Sequence, residues 1–367
     1  MQPPLFIINP TCGTRSAGQE IANLLTRVDH LYGQVTVRYT ERRGHAVELA
    51  FAGVNDGHPL IVAVGGDGTF SEVVNGVLRA GDEATRETAA EAGDEATRET
   101  AAEAGDEAAS GAGPVRGAVG PGDDGAGGED RWGRERGPDL PPVGLVSIGT
   151  GGDFRRTLGI GPGIDGSLEA LAAGGERYID VVRAEFRAPD GAPTRRYFVN
   201  VLSAGLGGLV DHYMESMPSF VGGRAAYYLA SLRALAVGKE QRVAMRIEWH
   251  GESREETVPA YLVAICNGRW FGGGMDVAPM ALPDDGRLEV ITVTAPNKPF
   301  IAKRMRSVYA GRHLEVSTVH HFPCERIELR LEDQAAESSF LLDVDGDALG
   351  SLPLSVEVVP RRLRVRA

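Results

Sequence analysis

The chain reads as an α/β N-terminal domain built on a parallel sheet, followed by a mainly antiparallel β domain. Three observations predict this. Short apolar runs alternate with amphipathic helical stretches up to about residue 178, the hydrophobic period then drops to two, and 367 residues suffice for two cores.

Leu5–Ile8 is the first apolar strand and Ala17–Val28 the first amphipathic helix. Val35–Tyr39 and Gly44–Ala52 repeat the pair, Leu60–Val64 and Thr69–Arg79 repeat it again, and Val143–Ser147 is a fourth strand. Strand–helix alternation of this kind implies parallel neighbours covered on both faces, and such sheets bind ligands at the carboxyl ends of their strands. Period-two runs follow at Ile179–Arg187, Arg195–Ser203, Arg242–His250, Thr257–Asn267, Leu288–Thr294, His313–Thr318, Arg326–Leu331 and Phe340–Val344. Gly222–Val237 and Lys298–Arg312 interrupt them as helices, and Leu354–Val359 with Leu363–Val365 close the chain as two strands.

Residues 80–141 break the pattern. A twelve-residue Ala/Glu/Thr/Arg repeat starts at Ala80 and again at Ala92, and a Gly/Pro/Asp-rich stretch follows. Few of these residues can build a core, so the segment is expected to be a disordered surface insertion. The resulting division is 1–178 for the α/β domain with its insertion, 179–345 for the β-rich domain, and 346–367 for a segment returning to the first domain.

Residues 80–139 carry 16 Asp/Glu against 6 Arg, which leaves only -3 of the net -13 for everything else. No dense basic stripe argues for nucleic acid. No apolar run approaches the roughly 18 residues of a membrane span, and the start Met-Gln-Pro-Pro lacks an export signal, so a cytoplasmic location is expected. Cys12, Cys266 and Cys324 are too few and too scattered for a disulfide framework or a metal-ligand spacing.

The densest chemical signal is Val64-Gly65-Gly66-Asp67-Gly68-Thr69-Phe70-Ser71-Glu72, placed between a buried strand and a helix. Glycines there permit positive φ and close backbone approach, and helix N-terminal amides attract an anion. Thr69 and Glu72 have capping-box spacing. On the glycines alone a structural turn is as good a reading. Asp67 favours a functional one, since a carboxylate among phosphate-binding amides calls for a cation or a proton-transfer role. The spacing fits neither G-x-G-x-x-G nor the P-loop.

This segment, with Asn75 and Gly76, resembles the signature of the diacylglycerol-kinase catalytic superfamily, which includes sphingosine and ceramide kinases. Ile8–Gly13, Tyr39-Thr40 with Gly44-His45-Ala46, Gly149–Arg155, Ile179-Asp180, Phe198–Gly205, Asn267–Pro279, Asp284–Gly286 and Asp345–Asp347 resemble further family segments in the same order. The resemblance implies that Asn9, Pro10, Thr11, Cys12, Gly13, Thr40, Gly66, Asp67, Gly68, Thr69, Glu72 and Thr150 cradle ATP. It implies that Asp67, Asp153 and Asp180 hold catalytic Mg²⁺, and that Asp347, or Asp345 in its stead, accepts the proton of the lipid hydroxyl. It also implies a structural metal held by Asp285 with the backbone carbonyls of Leu282 and Arg287, against which a plain polar hairpin turn stands as an equal alternative.

Two departures stand out. Gly152 occupies the place of the family's asparagine, and Asp347 that of its glutamate. The apolar stripe Ala225–Leu235 and the pair Trp270-Phe271 are lipid-groove candidates, although such stripes are usually core. Lys298, Lys303, Arg304, Arg306, Arg312 and His313 form a basic region suited to anionic headgroups, or simply a solvated face. The leading expectation is an ATP- and Mg²⁺-dependent kinase of diacylglycerol or a related lipid at the membrane surface, with a homodimer as the candidate assembly. A non-catalytic nucleotide- or lipid-binding relative and an NAD-kinase-like enzyme are the alternatives.

Overall fold

The structure is a computed structural model that describes residues 2–12, 17–107, 139–148, 152–215, 223–295, 297–333, 335–336, 340–345 and 347–367. In the N-terminal half, β1 (Leu5–Ile8), α1 (Ala17–Tyr32), β2 (Thr36–Tyr39), α2 (His45–Asn55), β3 (Ile61–Gly65), α3 (Asp67–Glu107), β4 (Val143–Ser147), α4 (Asp153–Thr157) and α5 (Gly163–Ala173) follow one another. The strands pair in parallel in the order β2-β1-β3-β4. Alternation along β1 sends Leu5 and Ile7 to one face, packed with Ala46, Ala50, Phe70, Val73 and Val77 of α2 and α3. Phe6 and Ile8 go to the other, packed with Ile21, Leu24 and Val28 of α1 and Leu168 and Leu171 of α5. Both faces are dry, as the apolar strands require.

The C-terminal half contains β5 (Glu176–Arg187), β6 (Pro193–Phe198), β7 (Val201–Gly205), α6 (Leu206–Glu215), α7 (Gly223–Val237), β8 (Gln241–Trp249), β9 (Glu252–Ala260) and β10 (Leu262–Cys266). It continues with β11 (Trp270–Phe271), β12 (Met275–Asp276), β13 (Leu288–Val293), α8 (Lys298–Val308), β14 (Val319–Cys324), β15 (Arg326–Leu331), β16 (Leu341–Val344) and β17 (Asp347–Arg366). Pairing is antiparallel throughout these strands, around a core of Val182, Phe198, Leu202, Val243, Ile265, Val290, Leu329, Leu342 and Val356. The end of β17 joins the two halves, since Val365 and Arg366 run parallel to Val143 and Gly144 of β4.

Four expectations are corrected. Arg195–Ser203 is two strands, β6 and β7, because the backbone at Val199 and Asn200 turns its amides onto Asp345. Leu354–Val359 and Leu363–Val365 belong to one strand, β17, whose register against β5 slips between Val359 and Leu363, with Arg361 at φ 50°. His313–Thr318 begins as a short 3-10 turn over His313–Glu315, where buried His313 shares a proton contact of 2.9 Å with the Val277 carbonyl. The repeat segment, expected to be disordered, is helical as far as Glu107, and residues 108–138 of the expected insertion lie outside the described residues. Ala, Glu and Arg are strong helix formers, and Thr85 and Thr88 return their hydroxyls to the carbonyls of Gly81 and Ala84. Arg79–Asp139 forms one unit, and Met1–Leu78 with Leu140–Ala367 forms the other.

Candidate active site

The carboxyl ends of β1 and β3 are tied together by Asn9. Its amide N–H donates to the Val64 carbonyl at 3.0 Å, its side-chain NH₂ donates to Thr69 Oγ1 at 3.2 Å, and its Oδ1 accepts from the Thr11 N–H and hydroxyl at 3.0 and 2.8 Å. Cys12 closes the turn with a 3.3 Å bond to the Asn9 carbonyl, with exposed Pro10 between them. Thr40 enters from β2 by donating its N–H to the Ile8 carbonyl at 2.9 Å. Gly13 and Thr150 lie outside the described residues.

α3 starts at Asp67 rather than Thr69, with Phe70 N–H reaching the Gly66 carbonyl at 3.1 Å. The first-turn amides therefore have no partner within the helix. A Cβ at Gly65 would overlap Thr69 Oγ1, whereas the space over Gly66 and Gly68 is open. The glycines thus serve close approach and an uncovered turn, and positive φ plays no part at these three.

Both acidic members of the motif cap other helices. Glu72 reaches the start of α2, accepting from Gly44 N–H at 2.8 Å and Ala46 N–H at 3.1 Å, so it does not form the expected capping box with Thr69. Asp67 accepts from the N–H groups of Gly152, Asp153 and Phe154 at 3.1, 2.9 and 3.3 Å, at the start of α4. Gly152 needs φ 99° there, and a Cβ would come within 2.9 Å of Ser147 Oγ and 3.0 Å of Arg155 Nε. Glycine is the least strained residue for that geometry.

Asp153 accepts from Gly273 N–H at 2.7 Å, which ties the Asp67 turn to the glycine turn 272–274 of the β-rich half. Burial, and then the neighbouring Asp67 charge, raise its carboxyl above the usual range. Those two carboxylates in a desolvated corner fit a divalent cation, which would relieve both effects. Asp180 is engaged by backbone amides. Fully buried, it accepts from Gly286 N–H at 2.6 Å and Arg361 N–H at 2.8 Å, and burial raises it to about 6. It therefore pins the Asp285-Gly286 turn to the β17 bulge. Asp285 is held by Arg287, whose Nε stands 2.9 Å from Oδ2 and whose N–H donates to Oδ1 at 3.3 Å. Arg287 thus contributes a guanidinium there, and Leu282 is exposed. Among the described residues no three His, Cys, Asp or Glu side chains converge on one point.

The C-terminal carboxylates reach the same region as Asp67. Asp345, at φ 51°, accepts from Val199, Asn200 and Val201 N–H at 3.4, 3.2 and 3.2 Å, and burial raises it to about 6, with Asp67 adding to the rise. Asp347 Oδ1 accepts from Arg43, in the loop after β2, and its Oδ2 accepts from Arg196 of β6 at 2.6 Å. Arg43, Arg196 and the buried Asp343–Asp211 carboxyl pair were not anticipated. Burial first, then Asp211, push Asp343 well above the carboxylate range.

An apolar groove with a cavity volume of about 140 Å³ lies between α6, α7, α8 and the β10–β13 ladder. Leu206, Val210, Tyr227, Leu235, Phe271 and Ile301 line it. The α7 stripe splits: Ala230 and Ala234 pack inward, while Tyr227, Ser231 and Leu235 face the groove. Trp270 does not line it but lies beneath the guanidinium groups of Arg156 and Arg269, at 5.8 and 4.8 Å. Phe271 and Met275 bring the groove wall up to the glycine turn that Asp153 holds. Among the described residues no helix is long and apolar enough to cross a membrane.

A parallel α/β half with an amide-lined turn at its strand ends is thus joined to a β-rich half carrying an apolar groove. Residues 3–184 match the family model for the diacylglycerol kinase catalytic domain, and residues 200–367 match that for the YegS C-terminal NAD kinase beta sandwich-like domain. The chain belongs to the diacylglycerol kinase catalytic-domain family. It is 23% identical over 362 residues to a diacylglycerol kinase of Staphylococcus aureus, spanning 99% of this chain and 91% of that one. The fold is shared with a diacylglycerol kinase structure from Bacillus anthracis at TM-score 0.61 and 17% identity, covering 100% of this chain and 96% of the other.

Proposed function

We propose that the protein transfers the γ-phosphate of ATP to the hydroxyl of a lipid alcohol such as diacylglycerol. The observation that carries this reading is the Asp153–Gly273 bond, which sets the wall of the apolar groove beside the amide-lined turn at Gly66–Thr69. The triphosphate would lie over the open surface of Gly66 and Gly68, in reach of the first-turn amides of α3. A Mg²⁺ ion brought with it would supply charge neutralisation, and Asp67 and Asp153 would face it.

The acyl chains would occupy the groove and present the hydroxyl at the glycine turn. As the hydroxyl oxygen bonds to the γ-phosphorus, the bridging P–O bond breaks, ADP leaves, and the hydroxyl proton passes to a carboxylate, for which Asp347 is the choice. Positioning supplies most of the rate. The basic residues of α8 support docking at an anionic membrane surface from the cytoplasmic side.

Incubation with labelled ATP, Mg²⁺ and a total lipid extract tests the reading, and a phosphorylated lipid is expected. One observation favours a non-catalytic binding role instead: both oxygens of Asp347 are already engaged by arginines. Saturable Mg·ATP binding with no lipid altered in a single turnover would establish that second role.

A further inference from the structure

The contact that complicates the proposed base has a use of its own. Asp347 sits between two guanidinium groups from different parts of the fold, Arg43 on Oδ1 and Arg196 on Oδ2, with no oxygen left over. Arg196 and Asp347 are largely sheltered, at 17% and 14% side-chain exposure, whereas Arg43 is 64% exposed and reaches in from the loop after β2.

That loop is part of the strand-end region. Thr40 precedes Arg43, and Gly44 after it is fixed by Glu72 of the glycine-rich motif. Asp345, two residues before Asp347, senses the charge of Asp67. The arginine pair therefore stands at the edge of the surface on which a nucleotide phosphate chain would lie.

Two guanidiniums converging from opposite sides suit a tetrahedral oxyanion as well as they suit a carboxylate, because the fork presents the same donors to either. We propose that Arg43 and Arg196 form a clamp for the terminal phosphoryl group of the nucleotide, and that Asp347 occupies this clamp as an internal stand-in until that group arrives. The inference rests on the nucleotide-binding reading above and deepens it. Arrival of the phosphoryl group exchanges one anion for another, so neither arginine is left uncompensated. It also releases the Asp347 carboxylate, which turns toward the acceptor hydroxyl only when a transferable group is in place. The protein is then guarded against offering its carboxylate before ATP is bound. A carboxylate that competes for its own phosphate site lowers apparent affinity by the fraction of time it occupies the clamp.

The test compares ADP with a non-hydrolysable imido analogue of ATP, both with Mg²⁺, by calorimetry on the full chain. In Asp347→Asn the internal competitor loses its charge, and the analogue is expected to bind about tenfold tighter while ADP is unchanged. In Arg196→Lys and Arg43→Ala the analogue is expected to lose about tenfold and ADP little. Thermal unfolding of each variant checks that the fold is retained. A ratio of analogue to ADP affinity that stays constant in Asp347→Asn, or falls, would overturn the clamp while leaving the nucleotide-binding reading in place. Failure of the unaltered protein to bind either nucleotide would overturn both.

Discussion

The glycine-rich turn of the α/β half and the apolar groove of the β-rich half are built on opposite plans. At the turn, each side chain of consequence is spoken for: Asn9 binds Thr69, Glu72 caps α2, and Asp67 caps α4. At the groove, α8 has no buried residue, and its apolar side chains meet empty space. Rigid polar cradles hold reacting atoms in place, while loosely packed apolar walls accommodate chains of varied shape. The difference implies that damage to the turn should strike turnover and folding together, and damage to the groove should strike lipid affinity alone.

The sharpest way to break that contrast is Asp67→Ala. Three amides lose their acceptor, α4 loses its cap, and Asp153 loses its fixed position. Turnover with saturating lipid is expected to fall by about a hundredfold or more, and urea unfolding should show a loss on the order of 2 kcal/mol. Full turnover would detach the turn from catalysis.

Asp180→Asn comes next, and its readout is a slope. The carboxyl is raised from 3.8 to about 6 in the fold by burial, so its favourable contribution is complete below pH 3.8 and is lost as pH rises through 6. The wild type should thus shed about 3 kcal/mol across that window from this group. Asparagine removes this part of the slope, whatever its cost in absolute stability. An unchanged profile between pH 4 and 7 would contradict the burial assigned to Asp180. Glu72→Ala follows: freeing the Gly44 and Ala46 amides should cost about 1–2 kcal/mol in denaturant unfolding.

These residues also show what was legible beforehand. The order of strands and helices and the identity of the glycine-rich turn could be read because they depend on local periodicity and on residues adjacent in the chain. The partners could not. Nothing near Asp67 in sequence announces Gly152, 85 positions away, nor does anything near Asp347 announce Arg43, 304 positions away. The same limit hid the partners of Asp180, since an aspartate's identity is neutral between a cation and a pair of backbone amides. It left the groove only partly read: the α7 stripe and Phe271 were named, whereas Leu206, Val210 and Ile301 join them from elements distant in the chain. Repeat composition misled in the other direction: few core residues suggested disorder, yet helix propensity sufficed to carry α3 to Glu107.

The smallest effect tests the groove itself. Ile301 lines it from α8, a helix with no buried residue, so truncation there should leave the fold nearly untouched. Ile301→Ala removes apolar surface that a bound acyl chain would cover, worth about 1 kcal/mol for a half-buried contact, or roughly a fivefold rise in the KM for a lipid acceptor. ADP affinity should not change, because Ile301 shares no contact with the Gly66–Thr69 turn. A matching loss of nucleotide affinity would show that groove and turn are one coupled site. An unchanged KM would move the acyl chains elsewhere.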